Sequence, residues 1–148
     1  MKKICTFIGH SDTNISNDLL SSAKTTIVNI IENEGIQEFY CGGYGNFDKC
    51  MSLILRELKN IYNLKMYYIT PYNNAMCENK LTHIKSLELY DDIIYPELEN
   101  IPYKYCILKR NEWMIDQSDI IIAYVKYSYG GASKSLHYAM KKKKKLLT

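Results

Sequence analysis

The sequence predicts an α/β fold: a three-layer sandwich whose mostly parallel central sheet carries helices on both faces. Three observations predict it. Short apolar runs alternate with segments whose apolar residues recur at helical spacing, giving β-α-β-α-β from the N-terminus. The connections between the strand candidates have the length of crossovers, which join parallel strands with right-handed geometry. The helical segments are amphipathic, and a parallel sheet needs such cover on both faces.

Each element has its own signal. Ile4 to Ile8 reads as a strand ending at Gly9-His10, followed by a polar loop, Ser11 to Ser16. Asn17 or Asp18 caps the next helix, which carries Leu19, Leu20, Ala23, Ile27, Ile30 and Ile31 on one face and stops at Gly35. Gln37 to Cys41 is the second strand. It runs into Gly42-Gly43-Tyr44-Gly45-Asn46-Phe47-Asp48, with three glycines in four positions. Asn46 is a candidate cap for a helix striped by Phe47, Met51, Ile54, Leu55 and Leu58. Leu64 to Thr70 is the third strand, closed by Pro71.

Residues 72–100 are less regular, with a helix at 78–89 and a loop or short edge segment at Tyr90 to Pro96. So long a connection contains structure or serves a site, and it reads as an elaboration over the crevice rather than a domain boundary. A helix over Tyr103 to Gln117 presents Cys106, Ile107, Arg110, Trp113 and Met114 on one face. The strand Ile120 to Val125 precedes a second glycine turn, Ser128 to Ser133. A last helix spans Ser133 to Lys142, and Leu146-Leu147 adds a short sixth strand.

The 148 residues and 47% apolar content suit one compact domain over residues 1–148. The net charge of +3 is local, because Lys141 to Lys145 supply five positive charges and the remaining 14 basic side chains face 16 acidic ones. Such a run reads as a solvated helix end, so nucleic acid is not an expected partner. Five cysteines form no CxxC pair, and Cys5 and Cys41 fall in apolar strands as small fillers. With no signal core and no membrane-length apolar run, the expectation is a cytoplasmic protein that meets no membrane.

Ligands of a parallel sheet settle beyond the carboxyl ends of its strands, where strand order reverses. Three segments reach that edge: Gly9-His10-Ser11, Gly42 to Asp48, and Ser128 to Ser133, the last containing Tyr129, Gly130, Gly131 and Ala132. Glycines there let backbone amides approach an anion at the start of a helix. Glycine turns also end many strands for geometric reasons alone. Asp48 either accepts from sugar hydroxyls, with a tentative catalytic role as acid or nucleophile, or simply stabilises its helix N-terminus. Arg110 lies in an apolar stripe and needs a partner, either a phosphate of the ligand or an internal carboxylate such as Asp116 or Glu112. Tyr44, Tyr127 and Tyr129 flank the turns and suit stacking on a base. His10 is a further contact candidate, while His83 and His137 are read as peripheral. The three histidines have no metal-ligand spacing, so no metal and no cofactor are expected. Neither GxGxxG nor GxxxxGK[ST] is present.

Taken in order, Cys5 to His10, Gly42 to Asp48, Leu58-Lys59, Tyr90 to Pro96, Lys109 to Met114, Ser118-Asp119 and Gly130-Gly131-Ala132 resemble the SLOG superfamily. The likeness is to its small bacterial, YpsA-like members. It implies a Rossmann-like domain that binds a nucleotide or nucleotide-derived small molecule, working as a homodimer or higher homo-oligomer. Related branches include phosphoribohydrolases that cleave the base–ribose bond of nucleoside monophosphates. Their pattern of arginine, methionine four residues on, aspartate before a strand and then PGGxGTxxE is met by Arg110, Met114, Asp119, Gly130 and Gly131. It is not met by Tyr129 in place of the proline, nor by His137 in place of the catalytic glutamate. The resemblance therefore implies nucleotide binding first, with N-glycosidic hydrolysis or transfer, carried by Asp48, as the alternative.

Overall fold

The computed structural model describes residues 3–43, 45–72 and 90–147. Tyr44, Cys77, His83 and the helix expected at 78–89 lie outside them. The described elements are β1 (Lys3–Gly9), α1 (Asn17–Glu34), β2 (Ile36–Cys41), α2 (Asn46–Leu58), β3 (Lys65–Ile69) and β4 (Asp92–Ile94). They continue with a 3-10 turn (Tyr103–Tyr105), α3 (Cys106–Gln117), β5 (Ile120–Tyr124), α4 (Gly130–Lys141) and β6 (Lys145–Leu147). The strands form one sheet in the order β4-β3-β2-β1-β5-β6, and every pairing is parallel. The expected α/β sandwich is the observed fold.

Period-2 alternation splits each central strand between two cores. Cys5, Phe7, Ile120 and Ile122 join the core under α1 and α2, with Ile27, Ile30, Met51, Leu55 and Leu58. Ile8, Ile121 and Ala123 turn to the other face and pack with Ile115 of α3 and Ala139 of α4. Apolar residues on both faces of β1 and β5 make these strands read as continuous hydrophobic runs. Thr6 is the polar exception. Its hydroxyl donates to the Tyr40 carbonyl at 2.9 Å, which makes its burial tolerable.

Two cap assignments are corrected. The N-cap of α1 is Ser16, whose Oγ accepts from the Leu19 N–H at 3.1 Å; Asn17 is already helical. The N-cap of α2 is Gly45 with no side-chain cap, and Asn46 is the first helical residue. Helix α4 begins at Gly130, three residues before the expected start, so its glycines belong to the first turn rather than to a preceding loop. Gly35 ends α1 in the left-handed conformation, φ 72°, as the sequence predicts. Tyr90 to Pro96 contains the edge strand β4, and β6 forms at the other edge. Cys5, Cys41, Cys50 and Cys106 are buried free thiols. Burial pushes the Cys5 and Cys41 thiols far up, so they are inert fillers. Among the described residues no helix is long and apolar enough to cross a membrane.

Candidate functional site

Strand order runs outward from β1 through β2, β3 and β4 on one side and through β5 and β6 on the other, so it reverses between β1 and β5. At the carboxyl ends of these two strands lies a cavity of about 370 Å³. Gly9 at the end of β1, His10 and Ser11 after it, Gly42 after β2, Asp48 of α2, Arg110 and Asn111 of α3, and Tyr127 to Ala132 around the start of α4 all contribute to this region; of the last stretch, Tyr127, Tyr129, Gly130, Gly131 and Ala132 line it. Both glycine turns thus reach one rim. They are built differently.

The turn after β2 is closed by its own neighbours. The Gly43 N–H donates to Asp48 Oδ2, and the Asn46 N–H donates to the Ser11 carbonyl at 2.8 Å. A Cβ on Gly45 would stand 2.5 Å from Ser11 Cα, and one on Gly43 would enter the Tyr68 ring. Both glycines also have positive φ, 66° and 88°. Close packing and backbone conformation therefore demand these glycines. Gly43, Gly45 and Asn46 do not line the cavity; among the described residues of this turn only Gly42 and Asp48 do. The expectation that its amides cradle an anion is corrected accordingly, because two of them are already bonded within the protein.

The turn before α4 is open. A Cβ added at Gly130 or Gly131 would meet none of the described residues within 4 Å. No side chain caps the first turn of this 12-residue helix. A helix start leaves N–H groups without intrahelical partners and carries partial positive charge, which suits an anion. One turn further in, Ser135 also lines the cavity. It is 3% exposed, and its Oγ has no hydrogen-bond partner among the described residues. A buried hydroxyl left alone costs about 1–3 kcal/mol, so it marks a place for a polar partner beyond the described residues. Sequence reasoning named Ser133, which is buried but does not line the cavity, and missed Ser135. A serine within a helix carries no pattern that would single it out.

Arg110 is 3% exposed. Its Nη1 donates to the carbonyls of Gly42 and Ile69, each at 2.9 Å, and its Nε donates to Asn111 Oδ1 at 2.8 Å. Burial pushes its pKa down and the nearby Asp48 carboxylate opposes that. The internal partners expected for it are engaged elsewhere: Asp116 accepts from the Tyr138 hydroxyl and Glu112 pairs with Lys109. Arg110 therefore ties α3 to the ends of β2 and β3. By occupying the Asn111 oxygen, it also leaves that side chain, which lines the cavity, with its amide donors.

The rim is aromatic. Tyr127 and Tyr129 stack at 5.3 Å between centroids and are exposed, Tyr129 by 70%. His10 packs against Tyr127 at 4.7 Å. Gly9 is fixed by packing instead, since any Cβ there would enter the Phe47 ring. His137, at the position the resemblance gives to a catalytic glutamate, is exposed on α4 and does not line the cavity. Among the described residues no group of three or more histidines, cysteines and acids is arranged to hold a metal ion.

No family model matches the chain. No curated protein matches it either. Solved structures do. DNA processing protein A from Streptococcus pneumoniae superposes with a TM-score of 0.67 at 13% identity, covering 98% of this chain and 49% of that one. DNA processing protein A from Helicobacter pylori, described for its single-stranded DNA binding mode, gives 0.67 at 19% identity over 97% and 63%. The molybdenum cofactor carrier protein of Chlamydomonas reinhardtii gives 0.61 at 14% identity over 99% and 75%. This chain thus spans about half the length of the first of these. The expectation that nucleic acid is not a partner is overturned, because a protein of this same fold binds single-stranded DNA. The absence of a broad basic surface was too weak a ground for excluding it. In fold, the chain is similar to these proteins and shares their Rossmann-like α/β architecture, the fold that its sequence resemblance implies.

Proposed function

We propose that the chain binds a small nucleotide-like ligand in the cavity between β1, α3 and α4. The ligand's anionic group takes the N–H groups at the start of α4, and its base stacks on the Tyr127–Tyr129 pair. What carries this reading is one observation: an uncapped helix start and a buried hydroxyl without a partner meet at the same cavity. Among the described residues the lining holds one arginine and no lysine, against Asp12 and Asp48. That balance favours a ligand with a single phosphate over a polyphosphate. Asp48 supports the turn through Gly43, which favours a scaffold role over proton transfer.

The fold shared with the DNA-binding proteins favours a second reading, single-stranded DNA with one phosphate at α4 and one base on the tyrosines. Lys141 to Lys145 give it little support. They lie at the other end of α4, about 18 Å from its start.

Calorimetric titration with AMP, adenosine, inorganic phosphate and a short oligothymidylate separates these readings. Saturable AMP binding that exceeds phosphate, with adenosine weaker than both, supports the nucleotide site. Tighter binding of the oligomer than of AMP supports DNA, and no saturable binding by any of the four overturns both. Free adenine released from AMP, and lost on Asp48→Asn, would instead establish hydrolysis. Native mass spectrometry of the same samples tests the expected homo-oligomer, which completes the pocket from a second copy in this reading.

A further inference from the structure

His10 does more than line the cavity. Its ring is 9% exposed, and its Nε2 accepts from two successive backbone N–H groups, those of Lys126 and Tyr127, each at 3.1 Å. The same ring packs on Tyr127. Its own carbonyl is anchored from behind by Thr13, whose hydroxyl and N–H donate at 2.7 and 3.3 Å. The segment held in this way leads from β5 to the start of α4 and carries both rim tyrosines.

We propose that His10 is a positioning residue that latches this segment to the end of β1, and does so only as the neutral imidazole with its hydrogen on Nδ1. An imidazole nitrogen accepts through its in-plane lone pair, and protonation replaces that lone pair with a third competing N–H. Both amides then lose their acceptor at once, and the tyrosine rim and the first turn of α4 lose their tether. With Nε2 occupied, the ring can offer the cavity only a donor, its Nδ1–H. It selects for an acceptor on the ligand, a carbonyl, ring nitrogen or phosphate oxygen. The charged and titratable groups around it are Asp12 on its own loop, Lys126 and Tyr127 on the latched segment, and Asp48 of α2 with Arg110 of α3 across the cavity. Lys126 extends its ammonium over the Tyr124 ring, 5.4 Å from its centroid. The latch rests on the two hydrogen bonds to the His10 ring; only its effect on the ligand rests on the anion-site reading above.

Amide and imidazole resonances of the ligand-free protein test it, followed as the pH is lowered until the His10 ring protons themselves report protonation. The Lys126 and Tyr127 amides are expected to shift together, on the curve of the His10 ring protons, and to lose protection from hydrogen exchange in acid. His10→Gln keeps an oxygen acceptor that does not titrate, so these two amides should then stay flat. Amides that do not follow the His10 curve, or that still titrate in the Gln variant, would overturn the latch. Sulfate, which keeps its charge throughout, probes the consequence at Gly130 and Gly131. Its affinity should fall about fivefold or more in acid for the wild type and stay level for His10→Gln. Tighter sulfate binding in acid would mean that His10 acts by its charge rather than as a latch. Absence of sulfate binding at every pH would count against the anion site while leaving the amide titration to decide the latch.

Discussion

The two glycine turns are alike in composition and opposite in construction. Gly43 and Gly45 exist because Tyr68 and Ser11 press against them, and Asp48 and the Ser11 carbonyl take the Gly43 and Asn46 amides. At Gly130-Gly131 no described residue presses, no described side chain caps, and the space opens into the cavity. A glycine can therefore make room for the protein itself or for something else, and only the neighbours tell which. The first turn is a joint of the scaffold; the second is where the scaffold leaves a vacancy.

Substitution should expose this contrast most sharply at the first turn. Gly43→Ala and Gly45→Ala each combine positive φ with a collision, and should lose about 3 kcal/mol or more in urea unfolding. If either is tolerated within about 0.5 kcal/mol, the first turn is not closed as described.

Arg110→Ala comes next. It strands the Gly42 and Ile69 carbonyls and removes the cation facing Asp48, so about 2–4 kcal/mol should be lost. Arg110→Lys should recover only part of this, because an ammonium cannot reproduce the guanidinium fork. Full recovery by lysine would show that charge, not geometry, is what α3 supplies here.

Ser135→Ala reverses the usual sign. Removing a buried hydroxyl that has no partner should leave the free protein unchanged or about 1 kcal/mol more stable, while AMP affinity falls about tenfold. Loss of stability by 1 kcal/mol or more would mean that the hydroxyl already has a partner in solution. The smallest effect on stability belongs to Gly131→Ala. Its Cβ meets nothing and alanine is the better helix former, so stability should stay within about 1 kcal/mol of wild type. Binding at the cavity should weaken nonetheless.

The sheet and its helices were legible in the sequence because period-2 and period-3.6 patterns are local. Ile120 to Ala123 must sit between two apolar faces, and Phe47 to Leu58 must present a stripe. The convergence of Gly42 and Gly130 on one edge followed from parallel topology. What remained hidden depends on contacts distant along the chain. Tyr68 over Gly43 and Ser11 against Gly45 cannot be read from YCGGYGNFD, so the two turns looked equivalent. Arg110 was visible as an oddity, but its acceptors are carbonyls, and every residue has one. Ser135 left no trace, since one helical serine resembles another until the space beside its hydroxyl is known. The exclusion of nucleic acid failed for a related reason: overall charge says little about what a fold can bind, and a protein of this fold is described as binding single-stranded DNA.

The most direct test of the central contrast is a titration with AMP that follows individual backbone amides. The account predicts saturable shifts at Gly130, Gly131 and Ala132, with the Gly43 and Asn46 amides nearly still. Shifts centred on Gly43 and Asn46 while the α4 amides stay put would contradict it.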